Sequence, residues 1–292
     1  MAGGLKEVRE RIGSVQNTMQ ITSAMKMVSA AKLRRAQDAI TRMRPYAEKI
    51  QAILANVSAT LDSTEGVFSE ERKISKALVV AITSNRGLCG GFNNNSLKIA
   101  KATIAKHLEN GTEVVVLPLG KKAFESFERE GYSFAEGFGD SALTVFDNLN
   151  FDTVSEIAKT IMNGFVSKHW DSVDIAYSQF KNAAVQIPTC EPYLPLLPIS
   201  NDDNSSLDYI FEPSREEIVE NILPNALKVQ LYKAILDSNA AEHGARMTAM
   251  HSATENAGDL LQELKISYNK ARQASITTEI LEIVAGSEAL GG

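Results

Sequence analysis

Apolar residues recur at alternating steps of three and four through both ends of this 292-residue chain. Near the N-terminus the register runs Leu5, Val8, Ile12, Val15, Met19, then the polar Thr22, Lys26 and Ser29, then Leu33, Ala36, Ile40, Met43, Ala47, Ile50, Leu54, Val57 and Leu61. A 3.5-residue repeat sustained over about eight heptads describes a coiled-coil seam rather than the wider stripe of a surface helix. Such a helix would be roughly 85 Å long at the α-helical rise. Pro45 is the objection, because it removes a backbone donor and is expected to kink or interrupt the helix.

The far end repeats the signature. Ser214, preceded by Pro213 and followed by Glu217, forms a capping box that starts a helix. From Ile218 the register passes Ile222, Asn225, Val229, Tyr232, Leu236, a polar block Asn239, His243 and Arg246, then Met250, Ala253, Ala257, Leu260 and Leu264 to Ala285. That helix would run roughly 110 Å, with Pro224 leaving its start open. Two seams in one chain pair by folding back antiparallel. Polar seam positions tend to set register, so placing the two polar blocks opposite each other pairs residue n with about 268 − n. Everything after about Lys265 would then lack a partner in this chain. This overhang carries Ile276, Ile280, Leu281, Ile283 and Val284, which implies a sleeve supplied by something else.

The middle alternates strand and helix patterns. Ala77–Thr83, Glu113–Leu117 and Val173–Tyr177 read as strands; 94–108, 121–129 and 151–168 read as helices. That order means βαβ units and a mostly parallel sheet. Residues 62–73 form the linker in; the proline-rich 187–198 and polar 200–208 lead out. The expected fold is therefore a long antiparallel coiled coil of the terminal helices with a central Rossmann-like α/β domain. Its divisions are 1–61, 74–200 and 209–292.

Composition narrows the setting. With 44% hydrophobic and 23% charged residues the chain is neither disordered nor a membrane protein by default. No apolar run approaches the ~20 residues of a spanning helix, and no secretory signal opens the chain, so it is expected to stay where it is made. Cys89 and Cys190 are isolated, which leaves no disulfide framework and no CxxC motif. The net charge of −6 conceals an asymmetry: +6 in residues 1–57, −7 in 58–211 and −5 in 212–292. The basic run Lys32, Arg34, Arg35, Arg42 and Arg44 reads either as a solvated helix face or as a match for an acidic partner. No base-reading or stacking surface for nucleic acid is evident.

The loop Asn85-Arg-Gly-Leu-Cys-Gly-Gly-Phe-Asn93 follows a strand and precedes a helix, where phosphate cradles are built. It lacks both the GxxxxGK[ST] and the GxGxxG spacing, so a tight turn or docking loop is the stronger expectation. Cys89 in that turn has no base placed beside it by any motif. The histidines 107, 169, 243 and 251 form no HExxH, and His243 reads as a core or register residue. No catalytic, cofactor or metal residues are expected.

The segments Ser14-Val-Gln-Asn-Thr-Met-Gln-Ile-Thr-Ser-Ala-Met-Lys-Met-Val-Ser-Ala-Ala-Lys-Leu33, Ala245-Arg-Met-Thr-Ala-Met250 and Tyr268-Asn-Lys-Ala-Arg-Gln-Ala-Ser-Ile-Thr-Thr-Glu279 closely resemble the opening and closing helices of the gamma subunit of F-type ATP synthases. The family's closing signature matches at Ile276, Thr277, Glu279, Glu282 and Gly286 and departs at Ser287. The resemblance implies a central-stalk rotor, one copy per complex, turning inside three alpha and three beta subunits that supply the sleeve. It implies beta-subunit contacts at Met25, Arg246, Gln273, Thr277 and Glu279; Lys26 is expected to join Met25 and Arg246 in a cluster near that contact. It implies c-ring contacts at Tyr209 and Glu212, and an epsilon subunit beside the α/β domain. It places the chain peripherally on the cytoplasmic face of a bacterial inner membrane. The regulatory cysteine pair of the plant chloroplast form is not matched here, so no thiol switch is expected. The alternatives are a nucleotide-binding α/β regulator with coiled-coil arms, and a passive coiled-coil adaptor.

Overall fold

The computed structural model describes residues 2–58, 67–69, 72–196 and 215–290. Leu61, most of the inbound linker, the polar stretch 200–208, Tyr209, Glu212 and the cap at Pro213–Ser214 lie outside the described residues. The chain divides into two compact units, one made of Met1–Ser29 with Met247–Gly292, the other of Ala30–Arg246.

Two long helices frame the sequence: α1 (Ala2–Ser58) and a final helix, α6 (Arg215–Leu290). In the first unit they pair antiparallel, with Thr22, Ser29, Met250, Ala257 and Leu261 buried. Thr254 Oγ1 meets Thr22 Oγ1 at 2.9 Å, and Lys26 Nζ lies 3.3 Å from His251 Nδ1. Residue n therefore faces about 276 − n, two helical turns away from the expected 268 − n. The error has a physical source. Matching the two polar blocks presumed that they bury against each other, whereas Thr22 and Lys26 meet Thr254 and His251, and the α6 block serves another purpose described below.

Neither proline ends its helix; Pro45 lies inside α1 and Pro224 inside α6. Pro45 is exposed, so the carbonyl of Thr41 that loses its donor lies on a solvated side. Ala47 and Ile50, in the following turns, pack with Met43, Ala226 and Val229. Tertiary burial of an apolar face carries the helix through a position that propensity alone would break.

Within the second unit a four-stranded sheet has the order β2-β1-β3-β4. Its strands are β1 (Lys76–Ile82), β2 (Glu113–Leu119), β3 (Ser172–Phe180) and β4 (Gln186–Leu194). β1 runs parallel to both β2 and β3; β4 is antiparallel to β3. The helices between are α2 (Phe92–Glu109), α3 (Lys121–Arg129), the single turn α4 (Ser141–Thr144) and α5 (Phe151–Val166). Parallel strands covered on both faces read as continuous apolar runs, and Ala77 to Ile82 are all at most 1% exposed. One face, with Leu78, Val80, Ile82, Leu117 and Ile175, packs on α5 and on Leu227, Leu231 and Ile235 of α6. The other, with Val79, Ala81, Val114 and Val116, packs on Ala100 and Ile104 of α2 and Phe127 of α3.

β4 corrects the reading of 187–198 as a connection. Pro188 and Pro192 lie on the sheet's outer strand, β4, paired with Ser178 and Asp174 of β3. Four residues apart, their donorless nitrogens point the same way, and an edge strand can leave that side unpaired.

Candidate functional site

The glycine-rich loop leaves β1 through Thr83 and Ser84, both buried. Ser84 N donates to Asn93 Oδ1 at 3.0 Å, and Ser84 Oγ sits 2.6 Å from Arg86 O and 2.9 Å from Asn93 Oδ1. Asn93 Nδ2 donates to Cys89 Sγ at 3.2 Å. These bonds close the loop on itself between the strand and the first turn of α2. Cys89 is 2% exposed and packs with Phe92 against Ala241 and Ala245 of α6. The turn buries this thiol instead of presenting it, which removes the accessibility a nucleophile needs. Leu88, at the tip, has φ +61° and is 65% exposed.

The polar block of α6 lies against this loop. Arg246 Nη1 is 2.5 Å from Glu242 Oε1, while Nη2 donates to Arg86 O at 3.1 Å and to Gly87 O at 3.3 Å. His243 Nδ1 lies 3.4 Å from Arg246 Nη1. Gly244 allows a second close approach: a Cβ there would stand 3.2 Å from Ala183 Cα in the β3–β4 connection. Burial, joined by the charges of Arg246 and Lys32, pushes the His243 pKa down to about 4, so the ring is neutral near pH 7. Burial raises Glu242 against the opposing pull of Arg246, and raises Asp237 to about 6 with Lys233 and Arg44 opposing. Sequence reasoning missed Asp237, Glu242 and Leu88. The density of polar residues from Asp237 to Arg246 was the available signal, and the heptad frame disguised it as seam.

The other expected beta-subunit contact residues fall in the first unit. Met25 and Lys26 are half-buried on α1. Gln273, Thr277 and Glu279 are exposed on α6, where Thr277 Oγ1 bonds back to Gln273 O at 3.0 Å and Glu279 accepts from Ser275 Oγ at 3.4 Å. Arg246 is a buried member of the second unit. The basic residues Lys32, Arg34, Arg35, Arg42 and Arg44 are all exposed. Ile276, Ile280, Leu281, Ile283 and Val284 are between 48% and 71% exposed, a run of apolar surface on the closing turns of α6. Among the described residues no group of three or more His, Cys, Asp or Glu could hold a metal, and no helix is long and apolar enough to cross a membrane.

Comparison with known proteins gives the family. The family model described as ATP synthase matches residues 4–290. The ATP synthase gamma chain of Flavobacterium psychrophilum is 56% identical over 290 residues, covering 99% of each chain. The chain belongs to the ATP synthase gamma-chain family. Another member, from Geotalea daltonii, is 42% identical with the same coverage. The fold likewise matches a chain of the Euglena gracilis mitochondrial ATP synthase OSCP/F1/c-ring structure at a TM-score of 0.67 and 21% identity, covering 99% of this chain and 95% of that one. A chain from the Tetrahymena thermophila central stalk and c-ring matches at 0.56 and 24% identity, covering 80% and 99%.

Proposed function

We propose that this chain is the central-stalk rotor of a proton-translocating F-type ATP synthase, turning within three alpha and three beta subunits and coupling proton flow through the membrane c-ring to ATP synthesis or hydrolysis. It performs no bond chemistry itself. An asymmetric shaft presents a different face to each of three otherwise identical partners, so their nucleotide affinities differ and exchange as it turns. On this reading residues 1–61 and 209–292 are the shaft and 74–200 the domain beside epsilon. The beta subunits meet Met25, Lys26, Gln273, Thr277, Glu279 and the region of Arg246; Tyr209 and Glu212 meet the c-ring. The complex sits on the cytoplasmic face of a bacterial inner membrane, with this subunit peripheral.

The observation that carries the reading is the apolar surface from Ile276 to Val284, more than half exposed at Ile280, Leu281 and Ile283. A free helix with that much apolar surface calls for a sleeve. The closed glycine-rich loop and buried Cys89 favour this over the nucleotide-binding regulator.

The test is reconstitution with cognate alpha and beta subunits. One copy per three of each partner, with ATP hydrolysis that depends on the chain, is expected. Absence of a complex, with ATP bound by the chain alone, would overturn the proposal in favour of the regulator. Hydrolysis indifferent to the chain would leave a passive adaptor.

A further inference from the structure

Arginine carries five N–H donors and no acceptor, so the use of a buried guanidinium is read from what surrounds it. Arg246 is 8% exposed. One side of its fork holds Glu242, the other donates to two consecutive backbone carbonyls, Arg86 O and Gly87 O. Its neighbours on the same stripe of α6, Ala241 and Ala245, pack against Cys89 and Phe92. The spacing 241, 242, 245, 246 keeps all four on one side of the helix. The loop is thereby fastened to α6 at two places, by hydrogen bonds at 86–87 and by apolar contact at 89 and 92.

Leu88 lies between the fastenings. Its φ of +61° is a conformation that a residue with a Cβ resists, and its side chain is 65% exposed. Strain in the backbone without burial of the side chain gains nothing for this chain's own packing. A conformation of that kind persists where its surroundings over-determine it. Arg86, whose own carbonyl is one of the two that Arg246 holds, is also exposed. The tip thus displays one cation and one apolar side chain, both set by bonds that end on α6.

We infer that Arg246 is a positioning residue: it acts on the surrounding subunits through the glycine-rich loop, by fixing how Arg86 and Leu88 are displayed, and its own guanidinium does not reach a partner. The partner half of this inference rests on the rotor reading, whereas the brace stands on this chain alone. At 8% exposure, with Nη1 on Glu242 and Nη2 on two carbonyls, the guanidinium offers little surface to a partner carboxylate. Lysine separates the two roles. Arg246→Lys keeps the charge that a direct ionic contact needs, but a point-like ammonium cannot reproduce the fork that spans Glu242 and the two carbonyls.

The experiment uses the full chain, alone and assembled with alpha and beta subunits, as wild type, Arg246→Lys, Arg246→Ala, Leu88→Gly and the Arg246→Lys/Leu88→Gly double variant. Because Arg246→Ala strands Glu242, Arg246→Ala with Glu242→Gln is the companion that keeps the fold. Amide exchange across 86–92 in the isolated chain is expected to rise at least tenfold in every Arg246 variant, with 77–82 of β1 unchanged. In the assembly, Arg246→Lys is expected to lower kcat for ATP hydrolysis as far as Arg246→Ala does. Adding Arg246→Lys to Leu88→Gly should lower it less than twofold further, the non-additivity of two changes acting through one loop. Unchanged exchange at 86–92, wild-type kcat in Arg246→Lys, or losses that multiply in the double variant would each overturn the inference. A wild-type chain that forms no assembly would instead sink the rotor reading, with the exchange result still deciding the brace.

Discussion

The indole of Trp170 fills the space where a side chain on Gly164 would stand. A Cβ built there would lie 2.0 Å from Trp170 Cζ2, and Trp170 Nε1 donates to Ile161 O at 3.0 Å on the same helix. Gly164→Ala must therefore displace a 5%-exposed ring and break its hydrogen bond. The expected loss is about 2–4 kcal/mol from overpacking and the lost bond. Trp170 is the only tryptophan, so urea unfolding followed by its fluorescence reads the site directly. A midpoint equal to wild type would refute the packing argument.

Asp171, just before β3, ties the start of that strand to the start of β1. Its Oδ2 accepts from Ser75 N at 2.9 Å, Ser75 Oγ at 2.6 Å and Lys76 N at 3.0 Å, and its Oδ1 pairs with Arg72 Nε at 2.7 Å. Burial alone would raise its pKa, but the bonds from Ser75 and Lys76 and the Arg72 charge outweigh it and hold the carboxyl below its usual range. This stability is present above the ordinary Asp pKa and is lost as pH falls through the folded value. Asp171→Ala, which leaves Arg72 without its carboxylate, is expected to cost about 3–5 kcal/mol at pH 7. The same variant should lose the wild type's acid-side dependence, which thermal unfolding at pH 3 and pH 7 would measure.

Asp237 and His243 shape the pH profile in opposite senses. With a folded pKa of about 6, Asp237 binds its proton more tightly folded than unfolded, so its contribution falls as pH rises from about 4 to 6. With a folded pKa of about 4, His243 costs stability as pH falls from about 6.5 to 4. Asp237→Asn is expected to stabilise at pH 7.5 by up to about 3 kcal/mol and to do nothing below pH 4. His243→Gln should flatten the acid limb alone. Equal changes in Tm at pH 4.5 and 7.5 for either variant would contradict the assignment.

Thr22 and Thr254 provide a test of helix register in the first unit. Cysteines at both positions are expected to cross-link under mild oxidation. The pair Ser14→Cys with Thr254→Cys, which the polar-block alignment would have favoured, is not. Linked peptides identified by mass spectrometry decide between the two registers.

The heptad seams announced both long helices because a seam is a property of a helix and its immediate partner, visible at short range. Their register was not visible in the same way. Arg246 and Glu242 fit a seam position and its neighbour, yet their partner is a loop 160 residues away from Arg246 in sequence. The parallel strands were legible because burial on both faces makes them uniformly apolar. β4 was not, since Pro188 and Pro192 suit an edge strand and a connection equally well. Leu88 gave no sign at all: a positive φ at leucine is imposed by what fastens the residues on either side.

Thr22 and Thr254 are 232 residues apart in the chain. At a synthesis rate of about 5–20 residues per second, roughly 10–50 s separate the emergence of the first hydroxyl from that of the second. Throughout that interval the opening helix has left the ribosome with a seam that nothing downstream can cover. Its excess of six positive charges over residues 1–57 makes copies of this helix repel one another. The earlier-translated partner of this pair waits for nearly the whole of the intervening chain before it can be covered.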